Sequence, residues 1–268
     1  MSRLFRQIAA GIALATILLT GTLAGAQEAT QELRQLLAPS GKLRVGLYPG
    51  TPTSILEPQS AQPRGVGFEL GKALAEKLGV PYEPIVFTKN AEVLEGVKTG
   101  ATDIAFTNAS PARAKIMNFG QTYLEIEMGY LVPKGSPFKT ASEVDAKNIK
   151  VGVTQGSTSE SILSRDLKNA EVVRIPTLKQ GIEMLAAGKI DAYATNKAAL
   201  FQMSDAVPGS KVLEGHWGLE RHAIATPKGR DDGLPFIRAF TADAMKQGLV
   251  QSAVSRAGLR GAIVPESK

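Results

Sequence analysis

Two stretches of this 268-residue chain share one frame: Gly100-Ala-Thr-Asp-Ile-Ala-Phe-Thr-Asn108 and Gly188-Lys-Ile-Asp-Ala-Tyr-Ala-Thr-Asn196. Glycine, aspartate, threonine and asparagine fall at the same four places, and the residues between aspartate and threonine are apolar or aromatic. A second pair precedes them, Arg44-Val-Gly-Leu-Tyr-Pro-Gly-Thr-Pro-Thr53 and Lys150-Val-Gly-Val-Thr-Gln-Gly-Ser-Thr-Ser159. In each, a basic residue opens a Val-Gly strand, and a glycine four positions after the first begins a run rich in Ser and Thr. Such a chain must fold as two similar halves.

Hydrophobic spacing fills in the plan. Phe68, Leu70, Leu74 and Leu78 predict a helix over Val66–Leu78, followed by a strand at 80–87, a helix at 91–98 and a strand at 103–107. The second half reads as a helix at 158–167, a strand at 171–175, a helix at 178–187 and a strand at 191–195. The β-α-β-α-β order written twice predicts an α/β protein of two lobes with mostly parallel sheets. Residues 128–132 form an apolar strand leaving the first lobe, and Pro133-Lys-Gly-Ser-Pro137 breaks the chain after it. A second strand at 222–226 leads through Pro227-Lys-Gly229 into a long helix at 234–249. Two strands crossing between the lobes make a hinge, and the final helices return to the first lobe. The expected division is lobe 1 at 27–131 and 225–268, and lobe 2 at 132–224.

Residues 1–26 stand apart. Arg3 and Arg6 precede an apolar run from 8 to 19, and Ala24-Gly25-Ala26 offers the small-x-small pattern of a cleavage site, which together predict a secretory signal peptide. The apolar run is shorter than the roughly 20 residues that span a bilayer. Cysteine is absent, which removes a disulfide framework, a thiol nucleophile and a lipid-accepting Cys at the cleavage point. The expected product is a free, unlipidated, monomeric protein outside the inner membrane, in the periplasm of a Gram-negative cell.

The net charge is +6, and removing Arg3 and Arg6 leaves +4. Lysines and arginines are scattered among acids, without the basic block interleaved with aromatics that nucleic acid requires, so no nucleic-acid partner is expected. A mild positive field still gathers anionic small molecules. Gly-x-Ser-x-Gly, a phosphate loop and a dinucleotide fingerprint are all missing, so neither a catalytic constellation nor a cofactor is expected.

Ligands of open α/β sheets bind at the carboxyl ends of strands, where the repeated Thr-Asn and Gly-Ser/Thr runs fall. Each lobe then supplies one wall of a shared cleft. Thr154 closes a strand, and Gly156-Ser157-Thr158 starts a helix, either as a plain cap or as an anion site with free N–H groups. Asn108 and Ser110 lead to Arg113, which is either a surface arginine on a turn or a bidentate partner for a carboxylate. Asn196 ends the second lobe's third strand. Lys197 behind it opposes the helix macrodipole by about a few tenths of a kcal/mol and calls for solvent, or else an anion. Tyr48 and Thr51 line the cleft mouth, unless Tyr48 packs in the core. His216, Trp217 and His222 cluster near the return strand, where buried or hinge-packing roles are expected; two histidines without a Cys or carboxylate frame do not make a metal site.

From Gly41 to about Gly261 the chain resembles the bacterial extracellular solute-binding proteins of family 3, the periplasmic receptors of polar amino-acid ABC importers. The likeness rests on "GKLRVGLYPG", "GVGFELGKALAEKLGV", "SPARAKIMNFGQTY", "IKVGVTQGSTSE" and "GKIDAYATN". It implies the type II periplasmic-binding-protein fold, two lobes closing on a small-molecule ligand, an ABC permease as partner and no catalysis. By the same resemblance, Arg113 holds the ligand's carboxylate with help from the helix start at Thr158, and Asn108, Ser110 and Gly156 complete the contacts. The chain departs from the family in a shorter segment between Asp103 and Arg113, and in Asn196, where an aspartate usually pairs with an α-ammonium. Charge-assisted bonds are about twice as strong as neutral ones, so Asn196 predicts weaker selection for an amino acid over an amine-free organic anion. A dehydratase-like enzyme on this architecture, or a ligand-sensing partner of a membrane receptor, are the alternatives; the enzyme requires an acid or base in the cleft, and no paired carboxylates are evident at the expected strand ends.

Overall fold

A computed structural model describes residues 29–49 and 51–266. The stretch expected to be a signal peptide, residues 1–26, lies outside them. Helix α1 (Gln31–Leu37) leads into β1 (Leu43–Leu47), α2 (Val66–Leu78), β2 (Tyr82–Val86), α3 (Asn90–Thr99), β3 (Ile104–Asn108), the one-turn α4 (Pro111–Ala114) and a long strand β4 (Met117–Val132). The second half follows as β5 (Lys150–Thr154), α5 (Thr158–Asp166), β6 (Glu171–Ile175), α6 (Leu178–Ala186), β7 (Ala192–Asn196), α7 (Lys197–Ala206) and the short β8 (Lys211–Val212). The chain then runs through β9 (Gly218–Pro227), α8 (Leu234–Lys246), α9 (Leu249–Arg256) and β10 (Ala262–Ile263). None of the described helices is long and apolar enough to cross a membrane.

Strands β2, β1 and β3 pair in parallel, as do β6, β5 and β7. These are the two parallel sheets expected from the repeat. Both crossing strands are much longer than the apolar segments that reveal them. Strand β9 pairs antiparallel with β3 and β4, and β4 pairs antiparallel with β7, so the order β2-β1-β3-β9-β4-β7-β5-β6 is one continuous ladder. The helix expected at 234–249 is two helices, because Gly248 at φ 73° turns the chain between α8 and α9. Each lobe has its own core, one around Leu43, Leu70, Ile104 and Phe240, the other around Tyr130, Val151, Leu163 and Ala194.

The repeated frame has a mechanical cause. Asp103 Oδ2 accepts the backbone N–H of Arg44 at 2.9 Å, and Asp191 Oδ2 accepts that of Lys150 at 2.8 Å. The N–H groups of Asp103 and Asp191 return the bond to the carbonyls of Arg44 and Lys150, at 2.8 and 2.9 Å. The aspartate therefore staples the third strand of each lobe to the start of the first. Gly100 and Gly188, at φ 75° and 65°, supply the left-handed turn that carries the chain from the preceding helix into that staple.

The staples differ in depth. Asp103 is fully buried and also meets the guanidinium groups of Arg44 at 2.8 Å and Arg230 at 3.0 Å, whereas Asp191 is only partly buried. Asp103→Ala strands two partly buried arginines and is expected to cost about 3–5 kcal/mol. Asp191→Ala removes one bond to a backbone N–H and should cost about 1 kcal/mol. Urea unfolding of the two variants checks the order.

Candidate ligand-binding site

The carboxyl ends of β1, β3, β5 and β7 meet around a small cavity of about 90 Å³, room for roughly three waters at about 30 Å³ each. Of the residues singled out in the sequence, Tyr48, Thr51, Asn108, Arg113, Thr154, Ser157, Thr158, Asn196 and His222 line it, while Ser110 and Gly156 do not. Tyr48, Leu178 and Ala199 also border a broader groove of about 680 Å³ outside it. Burial pushes the Tyr48 phenol's pKa up, and the Leu178 backbone across the cleft pulls it the other way.

Arg113 is presented by α4, whose first turn Ser110 caps by accepting the Arg113 N–H at 3.3 Å. Ser110 thus positions the arginine rather than facing the cavity. The guanidinium donates to Thr107 Oγ1 at 2.6 Å, to the Asn108 carbonyl at 3.4 Å and to the Gly156 carbonyl at 3.5 Å. All three acceptors are neutral, and among the described residues none forms a salt bridge with Arg113. Burial pulls its pKa below the ordinary value, and the nearby charge of Glu220 acts in the opposite direction. A partly buried cation with only neutral partners favours an incoming anion.

The Gly156-Ser157-Thr158 turn differs from the expected anion site. The Gly156 N–H donates to Glu160 Oε2 at 2.5 Å, and the Ser157 N–H to the Thr154 carbonyl at 3.1 Å. Ser157 Oγ in turn caps the Glu160 N–H at 3.1 Å. A carboxylate from the helix itself therefore occupies the place expected for a ligand anion, which the distance of four residues along the chain conceals. What the turn does provide is contact between lobes. Its Gly156 carbonyl accepts from Asn90 Nδ2 at 3.1 Å, and Thr158 Oγ1 accepts from Asn108 Nδ2 at 3.0 Å. Thr154 Oγ1 shares a 2.6 Å hydrogen bond with the buried Tyr193 hydroxyl and so is held by its own lobe.

Asn196 does not present a free amide. Its Oδ1 caps α7 by accepting the Ala199 N–H at 3.0 Å, and its Nδ2 donates to Glu220 Oε2 at 2.8 Å. His222 Nε2 meets the same carboxylate oxygen at 3.0 Å. Glu220 and His222 are buried and both line the cavity, so an acid and a potential base stand in the cleft, although the described lining holds no second carboxylate to pair with Glu220. Burial pushes the Glu220 pKa up, but His222, Arg113 and Asn196 together outweigh it and hold the carboxyl below its ordinary range. Lys197 finds an anion rather than solvent, Glu127 Oε2 at 2.6 Å. Trp217 packs near Tyr130 and donates to the Gly129 carbonyl at 2.9 Å, whereas His216 is 54% exposed beside Glu127 and fills no buried role.

Residues 43–256 match the bacterial extracellular solute-binding proteins, family 3. The chain belongs to that family. It is 24% identical over 178 residues to the ABC transporter glutamine-binding protein of Bacillus subtilis strain 168, a match covering 65% of this chain and 64% of that protein. It is also 24% identical over 215 residues to the L-cystine-binding protein of Escherichia coli K12, covering 79% and 80%. A solved solute receptor for L-cysteine from Neisseria gonorrhoeae superposes with a TM-score of 0.75 at 23% identity, covering 84% of this chain and 92% of that one.

In this family 3 protein the residue missed by sequence reasoning is Glu220, whereas His222, expected to be buried near the return strand, is buried and also lines the cavity. Strand β9 alternates, with Leu219 and Arg221 exposed and Glu220 and His222 buried. The apolar run begins only at residue 223, so a strand read from hydrophobicity stops short of Glu220. Extending the period of two backwards from His222 is the signal that finds it.

Two outcomes follow from this geometry. A Cβ at Gly156 would sit 3.0 Å from Ala91 Cβ of the facing lobe, at φ 73°. Gly156→Ala is expected to add about 1–2 kcal/mol of backbone strain and to hold the lobes apart; small-angle scattering should show a larger radius of gyration than for the parent protein. Because the Glu220 pKa is depressed on folding, its stabilisation is complete above the ordinary value of 4.5 and is lost as pH falls through the folded value. Unfolding midpoints measured on the acid side should fall less steeply for Glu220→Gln.

Proposed function

We propose that this protein is the periplasmic receptor of an ABC importer and closes on a small carboxylate-bearing solute, an amino acid or a related organic anion. Residues 27–131 and 225–268 form one wall, residues 132–224 the other, and residues 1–26 act as the export signal. The observation that carries this reading is Arg113, a partly buried guanidinium at the cavity that pairs only with neutral oxygens among the described residues. Contacts on both walls form together only when the lobes meet, so a ligand touching both favours closure. The solute's charged head fits the inner cavity, and the groove beyond Tyr48 receives the rest. The closed receptor, as a monomer, then presents both lobes to a permease.

Native mass spectrometry of freshly purified protein identifies the co-purified solute, and calorimetry with that solute tests the site. Arg113→Ala is expected to weaken binding by at least about 2 kcal/mol, and Arg113→Lys also weakens it, because an ammonium does not reproduce the planar fork. Unchanged affinity in Arg113→Ala sinks the assignment.

An enzymatic reading rests on one observation, the Glu220–His222 pair beside Arg113. A carboxylate and an imidazole in contact are the groups that an acid–base step on a bound carboxylate needs. Incubation with prephenate discriminates: product formation supports a dehydratase-like activity, and binding without turnover supports the receptor.

A further inference from the structure

We propose that Glu220 is the cation-accepting residue of the cleft, and that it selects solutes carrying an amine beside their carboxylate. The proposal rests on the reading of the cleft as a carboxylate site.

Apart from the His222 ring, Arg113 and Glu220 are the only described residues lining the cavity that bear charge. Each influences the other's ionisation, yet they form no salt bridge within 4.0 Å. A buried carboxylate and a partly buried guanidinium would gain by closing that gap. They are held back by their own neutral partners, Thr107, Asn108 and Gly156 for the arginine, Asn196 and His222 for the glutamate.

The spare bonding capacity has a direction. Both hydrogen bonds to Glu220 end on Oε2, and among the described residues nothing donates to Oε1. That oxygen is also not among the sealed polar atoms lacking partners. An ionised carboxylate only accepts, so the His222 Nε2 carries the proton of their bond and the imidazole holds the carboxylate in place. Arg113 likewise keeps donors that no described residue uses.

A solute with one carboxylate and one ammonium satisfies both charges at once. A carboxylate without an amine leaves Glu220 unpaired and brings a second negative charge towards it. The charge that Asn196 lacks is thus present across β4, on Glu220 of β9. This reverses the expectation that Asn196 weakens selection for an amino acid.

The test pairs each of the twenty L-amino acids with its des-amino carboxylate, L-alanine with propionate for example, in calorimetry on the purified protein. At least one amino acid is expected to bind, with its des-amino counterpart about ten- to a hundredfold weaker. Glu220→Gln should lose a similar factor for the amino acid and little for the counterpart. The double variant N196D/E220Q, which moves the carboxylate across the same hydrogen bond, should recover most of the loss and so separates lost charge from lost folding. The proposal is overturned if Glu220→Gln binds the amino acid as tightly as the parent, or if the parent prefers des-amino carboxylates. If Arg113→Ala abolishes binding in that case, only the role of Glu220 falls. Binding of neither member of any pair overturns the carboxylate-site reading as well.

Discussion

The antiparallel pairing of β4 with β9 is the interaction on which the rest depends. Each parallel sheet ends on one of these strands, β3 on β9 and β7 on β4, so among the described residues their ladder is the one strand-pairing path joining the two sheets. Register shifts between Phe119 and Leu124 interrupt it on the side of the first lobe. Such irregularities bend and twist a strand pair, and bulges are common next to functional sites. Beyond the shift, Leu124 stands opposite His222 and Ile126 opposite Glu220. The residues that pair the lobes are therefore immediate neighbours of those that give the cleft its charge.

That placement explains how the cleft tolerates buried ionic groups. A lone buried carboxylate or guanidinium is costly, and such groups are kept only where partners compensate. Glu220 sits on a strand paired on both edges, and its partners come from β7 and from β9 itself. Arg113 is fixed by the end of β3 and by the facing turn at Gly156. Each charge is anchored on different elements, which keeps them near each other without letting them neutralise one another.

Much of this was legible in the chain because the causes are local. Gly100 and Gly188 end helices, and Asp103 and Asp191 each close a loop to a first strand, so the same letters recur wherever the same mechanical problem does. Helix and strand positions in both halves follow from apolar spacing for the same reason. What stayed hidden depends on partners distant in sequence or on competition within the site. The N–H of Gly156 looked free because nothing in "GSTSE" says that its glutamate folds back. Ser110 looked like a ligand contact because a cap and a binding hydroxyl are the same residue type. Lys197 looked solvent-bound because Glu127 lies 70 residues earlier. Glu220 was concealed by composition, since a buried acid on a strand edge of the cleft carries no apolar signal.

Positions 196 and 220 are best understood as one unit. The amide at 196 has two tasks: its oxygen caps α7 and its N–H group holds Glu220 Oε2 at 2.8 Å. Aspartate performs the first task as well as asparagine does, but it cannot donate. Placed opposite Glu220 it would set two carboxylates against each other, and one of them would have to take up a proton. The hydrogen bond between the strands therefore admits one acid and one amide, in either order. In this protein the acid stands on β9 and the amide on β7, so the residue at 196 alone does not report the charge of the cleft. The asparagine that ends "GKIDAYATN" acquires its meaning only from a glutamate on another strand.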